Sequence, residues 1–220
     1  MISPLSWTRL LLHLVLVVLA PASAIAQDSS FQRVQLPHKI SLEIPAHWKV
    51  LSAETRKNLA AAGEAITGGA GVEVPSGKES LLAVNATPDP PGAMIRVSVI
   101  SPPEYTQADL AAVTPAELKD AEEKLLNLFK KIEAAGGPKI LEVQRFRIER
   151  LNNHLSLVMP YIRASAQSSS PWQAVQYKIP VSGRLIELTL SNRQSDAIVW
   201  KPILERVKRS LRFESPSQPR

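Results

Sequence analysis

The sequence predicts an α+β fold built on a mainly antiparallel sheet. Two observations carry this. Five segments alternate apolar and polar residues at a period of two, which sends one set of side chains to each sheet face and favours antiparallel pairing. Three other stretches repeat apolar residues at helical spacing between start and stop signals.

The chain opens with a segment that reads as an address. Arg9 precedes an apolar run, Leu10 to Ala20 broken only by His13, and Ala22-Ser23-Ala24-Ile25-Ala26 follows. A charged start, a short apolar core and an A-x-A ending are what a signal peptidase reads. The run is well below the ~20 residues that span a bilayer. Residues 1–26 are therefore expected to be cleaved after Ala26, leaving Gln27 at the mature N-terminus. Residues 27–30 then form a flexible lead, 31–213 one globular domain, and 214–220 a polar, disordered tail.

Along that domain, Ile40, Leu42 and Ile44 alternate with Ser41 and Glu43. Leu81 to Thr87 and Ala93 to Ile100 flank Pro88-Asp89-Pro90-Pro91-Gly92 and read as a hairpin with a stiff loop. Phe146 and Ile148, then Val175, Tyr177 and Ile179, then Ile186, Leu188 and Leu190 continue the alternation.

The best signalled helix opens at Thr114-Pro115-Ala116-Glu117. Thr114 can cap, Pro115 fits the first turn, and Glu117 completes a capping box. Leu118, Leu125, Leu128, Phe129 and Ile132 form its apolar stripe, and Gly136-Gly137-Pro138 ends it. An alanine-rich helix is expected from about Ala53 to Ile66, with Leu59, Ala62 and Ile66 on one side. A third is expected near the C-terminus, its regular part opened by Pro202, with Ile203, Leu204, Val207 and Leu211 facing inward. Gly63 to Gly77 and the serine-rich Ser165 to Pro171 read as loops. Trp48 and Trp200, each at the edge of an apolar element, are expected to be buried.

Composition narrows the classes. There is no cysteine among the 220 residues, which excludes disulfides, a lipoprotein anchor, a c-type haem attachment and a thiolate zinc site. Cleavage removes only Arg9 of the charged residues, so the formal charge falls from +6 to +5. That modest excess permits contact with an acidic partner or an anionic surface.

Motifs of catalysis are scarce. Gly71 to Lys78 brushes against a phosphate-binding loop, but five residues separate its glycines, Pro75 removes a backbone donor, and Glu79 stands where magnesium needs a hydroxyl. His38, His47 and His154 form no metal-ligand spacing, and no G-x-S-x-G elbow occurs. The neighbours Glu122-Glu123 read as a solvated helix face. Asn85-Ala86-Thr87 matches the glycosylation acceptor pattern. No cofactor and no metal site are expected. The basic residues near the C-terminus are the candidate binding surface: Arg206, Arg209 and Arg212 recur at near-helical spacing and could form one positive stripe.

Several landmarks resemble the PsbP-like family. Pro45-Ala46-His47-Trp48-Lys49-Val50 is similar to its "strand, Pro, turn, Trp" opening. Gly183-Arg184-Leu185-Ile186-Glu187-Leu188-Thr189-Leu190 looks like its strand after a tight turn. Trp200-Lys201-Pro202 through Ser210-Leu211-Arg212-Phe213 looks like its closing helix and "Ser-Leu-x-Phe" strand. The resemblance spans about Phe31 to Phe213 and implies an α/β/α sandwich. Its members are mostly non-catalytic binding or accessory proteins, while Ala53 to Gly77 departs from the family's compact pattern.

These readings converge on an exported, non-catalytic binding or accessory protein of the bacterial periplasm. Its expected partner is another envelope protein, with no nucleic acid and only peripheral membrane contact. Two alternatives stand beside it: a hydrolase whose catalytic residues are dispersed in sequence, and a binder of membrane surfaces or anionic polymers through the basic C-terminal helix.

Overall fold

A computed structural model describes residues 30–72, 76–165 and 168–213. The leader, the Gln27 terminus, the tail and parts of the two expected loops lie outside these residues.

Strand β1 (Phe31–Leu36) turns through Pro37–Lys39 into β2 (Ile40–Pro45), and the final strand β11 (Arg212–Phe213) pairs with the other edge of β2. The large sheet begins with the short β3 (Lys49–Val50), followed across the sheet by β4 (Lys78–Asn85) and β5 (Ala93–Ile100). Next come β10 (Arg184–Arg193), β9 (Trp172–Val181) and β8 (His154–Arg163). The free edge of β8 takes β6 (Ile140–Val143) on one half and β7 (Arg147–Leu151) on the other. All of these pairings are antiparallel. Helix α1 (Ala53–Gly69) joins β3 to β4, α2 (Gln107–Ala112) and α3 (Pro115–Ala134) join β5 to β6, and α4 (Ala197–Ser210) joins β10 to β11.

The alternation decides which face is which. Ile95, Val97 and Val99 of β5, Ile186, Leu188 and Leu190 of β10, and Tyr177 and Ile179 of β9 share the inner face. Against them pack Ile40, Leu42 and Ile44 of β2 with Trp200, Leu204 and Val207 of α4, and this is the hydrophobic core. The outer face carries Arg96, Ser98, Gln176, Glu187 and Thr189 beneath α1, while α3 lays Phe129 against Tyr161 of β8. Helices cover one face, and α4 with the small sheet covers the other. The α/β/α sandwich is as expected.

Local signals explain the helices. Thr114 caps α3, with its hydroxyl accepting from the Glu117 amide and the Glu117 carboxylate returning to the Thr114 amide. The expected stripe of α3 faces the sheet but is only half-buried. Helix α2 uses the same device through Thr106 and Asp109, and Ser52 caps α1.

Three expectations need correction. Helix α1 runs on through Gly69, so the expected loop after Gly63 begins only at Ala70; its Leu59 is 52% exposed. Pro202 lies inside α4 instead of opening it. The proline lacks the N–H that would bond back to Ile198, and that carbonyl sits in the first turn, where Ile198 is itself open to water. Glu122 is not merely solvated: one carboxylate oxygen accepts the Phe146 amide at 2.6 Å, tying α3 to the approach to β7.

Candidate functional site

The residues nominated by sequence, Arg206, Arg209 and Arg212, lie along the closing end of α4 and β11 but do not form one stripe. Arg206 turns back over the small sheet. Its guanidinium lies 3.8 Å from the centre of the Phe31 ring and pairs with Glu43 at 3.4 Å, a carboxylate that Arg33 already holds at 3.1 Å. Arg212 is beyond the helix, on β11, and donates to the Arg209 and Leu211 carbonyls and to Asn152 Oδ1. Arg209 projects into solvent, its side chain 81% exposed, with Glu205 as its one carboxylate neighbour among the described residues, at 4.0 Å.

What gathers these groups is the turn between β7 and β8. Asn152 and Asn153 both take the left-handed conformation, φ 46° and 67°, as a two-residue hairpin turn requires. The Asn152 amide donates to the Leu211 carbonyl, which binds this turn to the end of α4. Arg150 donates to the Asn153 carbonyl within the same hairpin, and the alternation of β7 sends Glu149, not Arg150, toward α4, where it meets Lys208 at 4.0 Å.

A second polar surface lies on the outer face of the sheet. Glu187 is 3% exposed. Its carboxylate pairs with Lys78 at 2.7 Å and Lys178 at 3.4 Å and accepts from Ser98 Oγ at 2.9 Å. Burial pushes this carboxyl up, but the two lysine charges and the hydrogen bonds from Lys78 and Ser98 outweigh it, so Glu187 ends below the usual range. Lys178 is shared with Glu104 at 3.2 Å.

On β5, the neighbour of the strand that carries Glu187, Arg96 donates to the Val84 and Ile95 carbonyls and to Asn85 Oδ1, all at 2.8–2.9 Å. The same bond engages the asparagine of the glycosylation pattern. These partners are neutral, and among the described residues no carboxylate pairs with Arg96. Burial, and next the charge of Arg163, lower it to about 10. Farther along the face, Arg163 and Arg193 flank the buried Trp172 ring at 5.2 and 6.0 Å. Between α1 and β4, β5, β10 and β9, a cleft of about 250 Å³ opens over Arg56, Lys78, Arg96 and Glu187.

The histidines do not converge. His38 Nε2 stands 3.4 Å from Glu79 Oε2, His47 is exposed in the turn before Trp48, and His154 packs edge-on against Phe213 at 5.3 Å. Among the described residues no cluster of three or more His, Cys, Asp or Glu side chains could hold a metal ion.

The sequence matches no protein-family model, and no curated protein matches it. Solved structures do resemble the fold. Cyanobacterial PsbP (CyanoP) from Synechocystis superposes with a TM-score of 0.52 at 13% identity, covering 84% of this chain and 94% of that one. LpqN of Mycobacterium tuberculosis, described as involved in cell envelope biogenesis, gives 0.43 at 13% identity over 83% and 89%. The Ran-binding protein Mog1p of Saccharomyces cerevisiae gives 0.41 at 10% over 84% and 96%. The likeness to cyanobacterial PsbP, spread over nearly the whole of that chain, shows that this protein has the PsbP-like fold.

Proposed function

We propose that the protein is an exported, non-catalytic binding or accessory protein of the bacterial envelope, folded as one unit from Phe31 to Phe213. It engages an acidic protein surface through the closing end of α4. The observation that carries this reading is the pair of exposed cations Arg209 and Arg212 at the end of α4, where Arg212 also reaches the Asn152 turn and, among the described residues, Glu205 is the one carboxylate near Arg209. Exposed arginines of this kind steer an acidic partner and form bidentate contacts with its carboxylates. Arg206 contributes at the rim, where it is already engaged with Glu43 and Phe31.

Export has its own test. N-terminal sequencing of the protein from its native host is expected to begin at Gln27, and a species retaining Met1 would overturn the leader assignment. For the contact face, Arg209→Glu is the clean variant, because reversing Arg206 also breaks a stack and an ion pair. The expected result is at least a tenfold loss of partner recovery in envelope pull-downs, at an unchanged melting temperature and with strong salt dependence. An unchanged partner set would remove this face from consideration. Wild-type binding to phosphatidylglycerol vesicles, lost in the same variant, would favour the membrane-surface reading instead.

A further inference from the structure

The cleft beneath α1 has a charge that the fold does not use. Among the described residues, Arg56, Lys78 and Arg96 line it against the single carboxylate of Glu187, leaving two positive charges in excess. Glu187 is fully engaged by Lys78, Lys178, Ser98 and Gln176, so it cannot serve Arg96 or Arg56 as well. Arg56, on the helix wall, spends its guanidinium on the Leu51 and Ser80 carbonyls, which are neutral. Arg96, on the sheet floor, is held by neutral acceptors too. A guanidinium taken partly out of water without a counter-charge is costly, and a bound anion would relieve that cost.

The remaining lining sets the shape of the ligand. Leu59, Ala60 and Ala83 supply an apolar wall, while Ser80 and Thr189 offer hydroxyls. Leu59 is the large apolar residue of α1 left more than half exposed, and it stands at this opening. Cations on the helix wall and the sheet floor with an apolar surface beside them suit a molecule with two anionic ends joined by methylenes. Such sites combine an apolar lining with a few placed polar groups.

We propose that this cleft is a binding site for a small aliphatic dicarboxylate, one carboxylate directed to Arg96 on the sheet and the other to Arg56 on α1. The site lies on the opposite face of the sheet from the end of α4, so this proposal and the partner surface can fail independently.

Calorimetric titration of the wild-type protein with succinate, glutarate and adipate is the direct experiment. Saturable one-site binding in about the millimolar range or tighter is expected for at least one of them, weakening as salt rises. Succinamide, the uncharged counterpart, should not bind. Arg56→Gln should weaken the best ligand at least tenfold. Lys78→Met, which leaves both arginines in place, should weaken it less. Thermal melts of both variants guard against misfolding, and Lys78→Met alone suffices to test the cleft if Arg56→Gln is unfolded. Failure of all three diacids to bind overturns the proposal. So does equal binding of inorganic phosphate, which has no spacer for the apolar wall, or wild-type affinity in both variants.

Discussion

Trp200→Ala is expected to remove ~3–5 kcal/mol of folding stability, seen as a lower denaturant midpoint at an unchanged m-value. Trp200 sits in the first turn of α4, and its ring meets Trp48 edge-on, centres 5.6 Å apart at 75°. Behind it lies backbone: a Cβ added to Gly92 would come within 2.6 Å of Trp200 Nε1. A void here is bounded by the Gly92 backbone just before β5 and by a second tryptophan, so the cavity cost adds to the lost transfer energy. Among the described residues neither buried indole N–H has an acceptor, so the expected effect is one of packing. Trp48→Ala should behave alike, and the double mutant should show a coupling of about 0.5–1.5 kcal/mol, as edge-to-face aromatic pairs do. Single losses below about 1 kcal/mol would mean the pair is not the clamp between α4 and the sheet.

This clamp was legible in the sequence because its landmarks are local: a tryptophan three residues after a strand's proline, and another at the head of an apolar helix. Strands β5 and β10 were legible for a similar reason. One face of each meets the core and the other meets polar groups, so the period of two survives in the sequence. Strand β8 hides its type. Val158 is buried toward the core, and Met159 is buried on the other face. With both faces covered, the segment reads as a continuous apolar run that periodicity alone cannot assign. Helix α2 has a complete capping box but only six residues, too few to display a stripe. Helix α1 outran its expected end because Gly68 and Gly69 count as breakers from sequence, whereas the amide of Ala70 still bonds back to Ile66.

The sites follow the same logic. Arg206, Arg209 and Arg212 were visible as a spacing, but their separate fates depend on Glu43, Phe31 and Asn152, residues distant in the chain. The cleft was invisible because Arg56, Lys78, Arg96 and Glu187 come from four different elements. Only the register sets them on one face. Thr189 of β10 lies opposite Arg96 of β5, and Glu187 lies opposite Ser98 and Lys178. Period-two polar residues in β5, β9 and β10 said that this face was polar. They could not say that its positive charge exceeds its negative charge at one place.

Acid should unfold the protein partly through Glu187. Its carboxyl is depressed below the ordinary glutamate value of 4.5 in the folded state, so the native protein binds the proton less readily than the unfolded chain does. The stabilisation is then fully present above that ordinary value and is lost as the pH falls through the lower folded one. A stability profile should decline as the pH falls below about 5, in part through this residue. Glu187→Gln keeps the shape and a hydrogen bond for Ser98 but leaves Lys78 without its carboxylate and Lys178 with Glu104 alone. The expected cost at pH 7 is about 1–3 kcal/mol, tempered by the exposure of Lys78, which can swing its ammonium into water. The same variant should flatten the acid limb, because the group that titrates is gone. Two denaturant series, wild type and Glu187→Gln, at pH 7 and pH 4 make the comparison. If the two proteins lose stability in parallel on acidification, the acid sensitivity resides in other carboxylates and Glu187 is not the titrating anchor of the outer face.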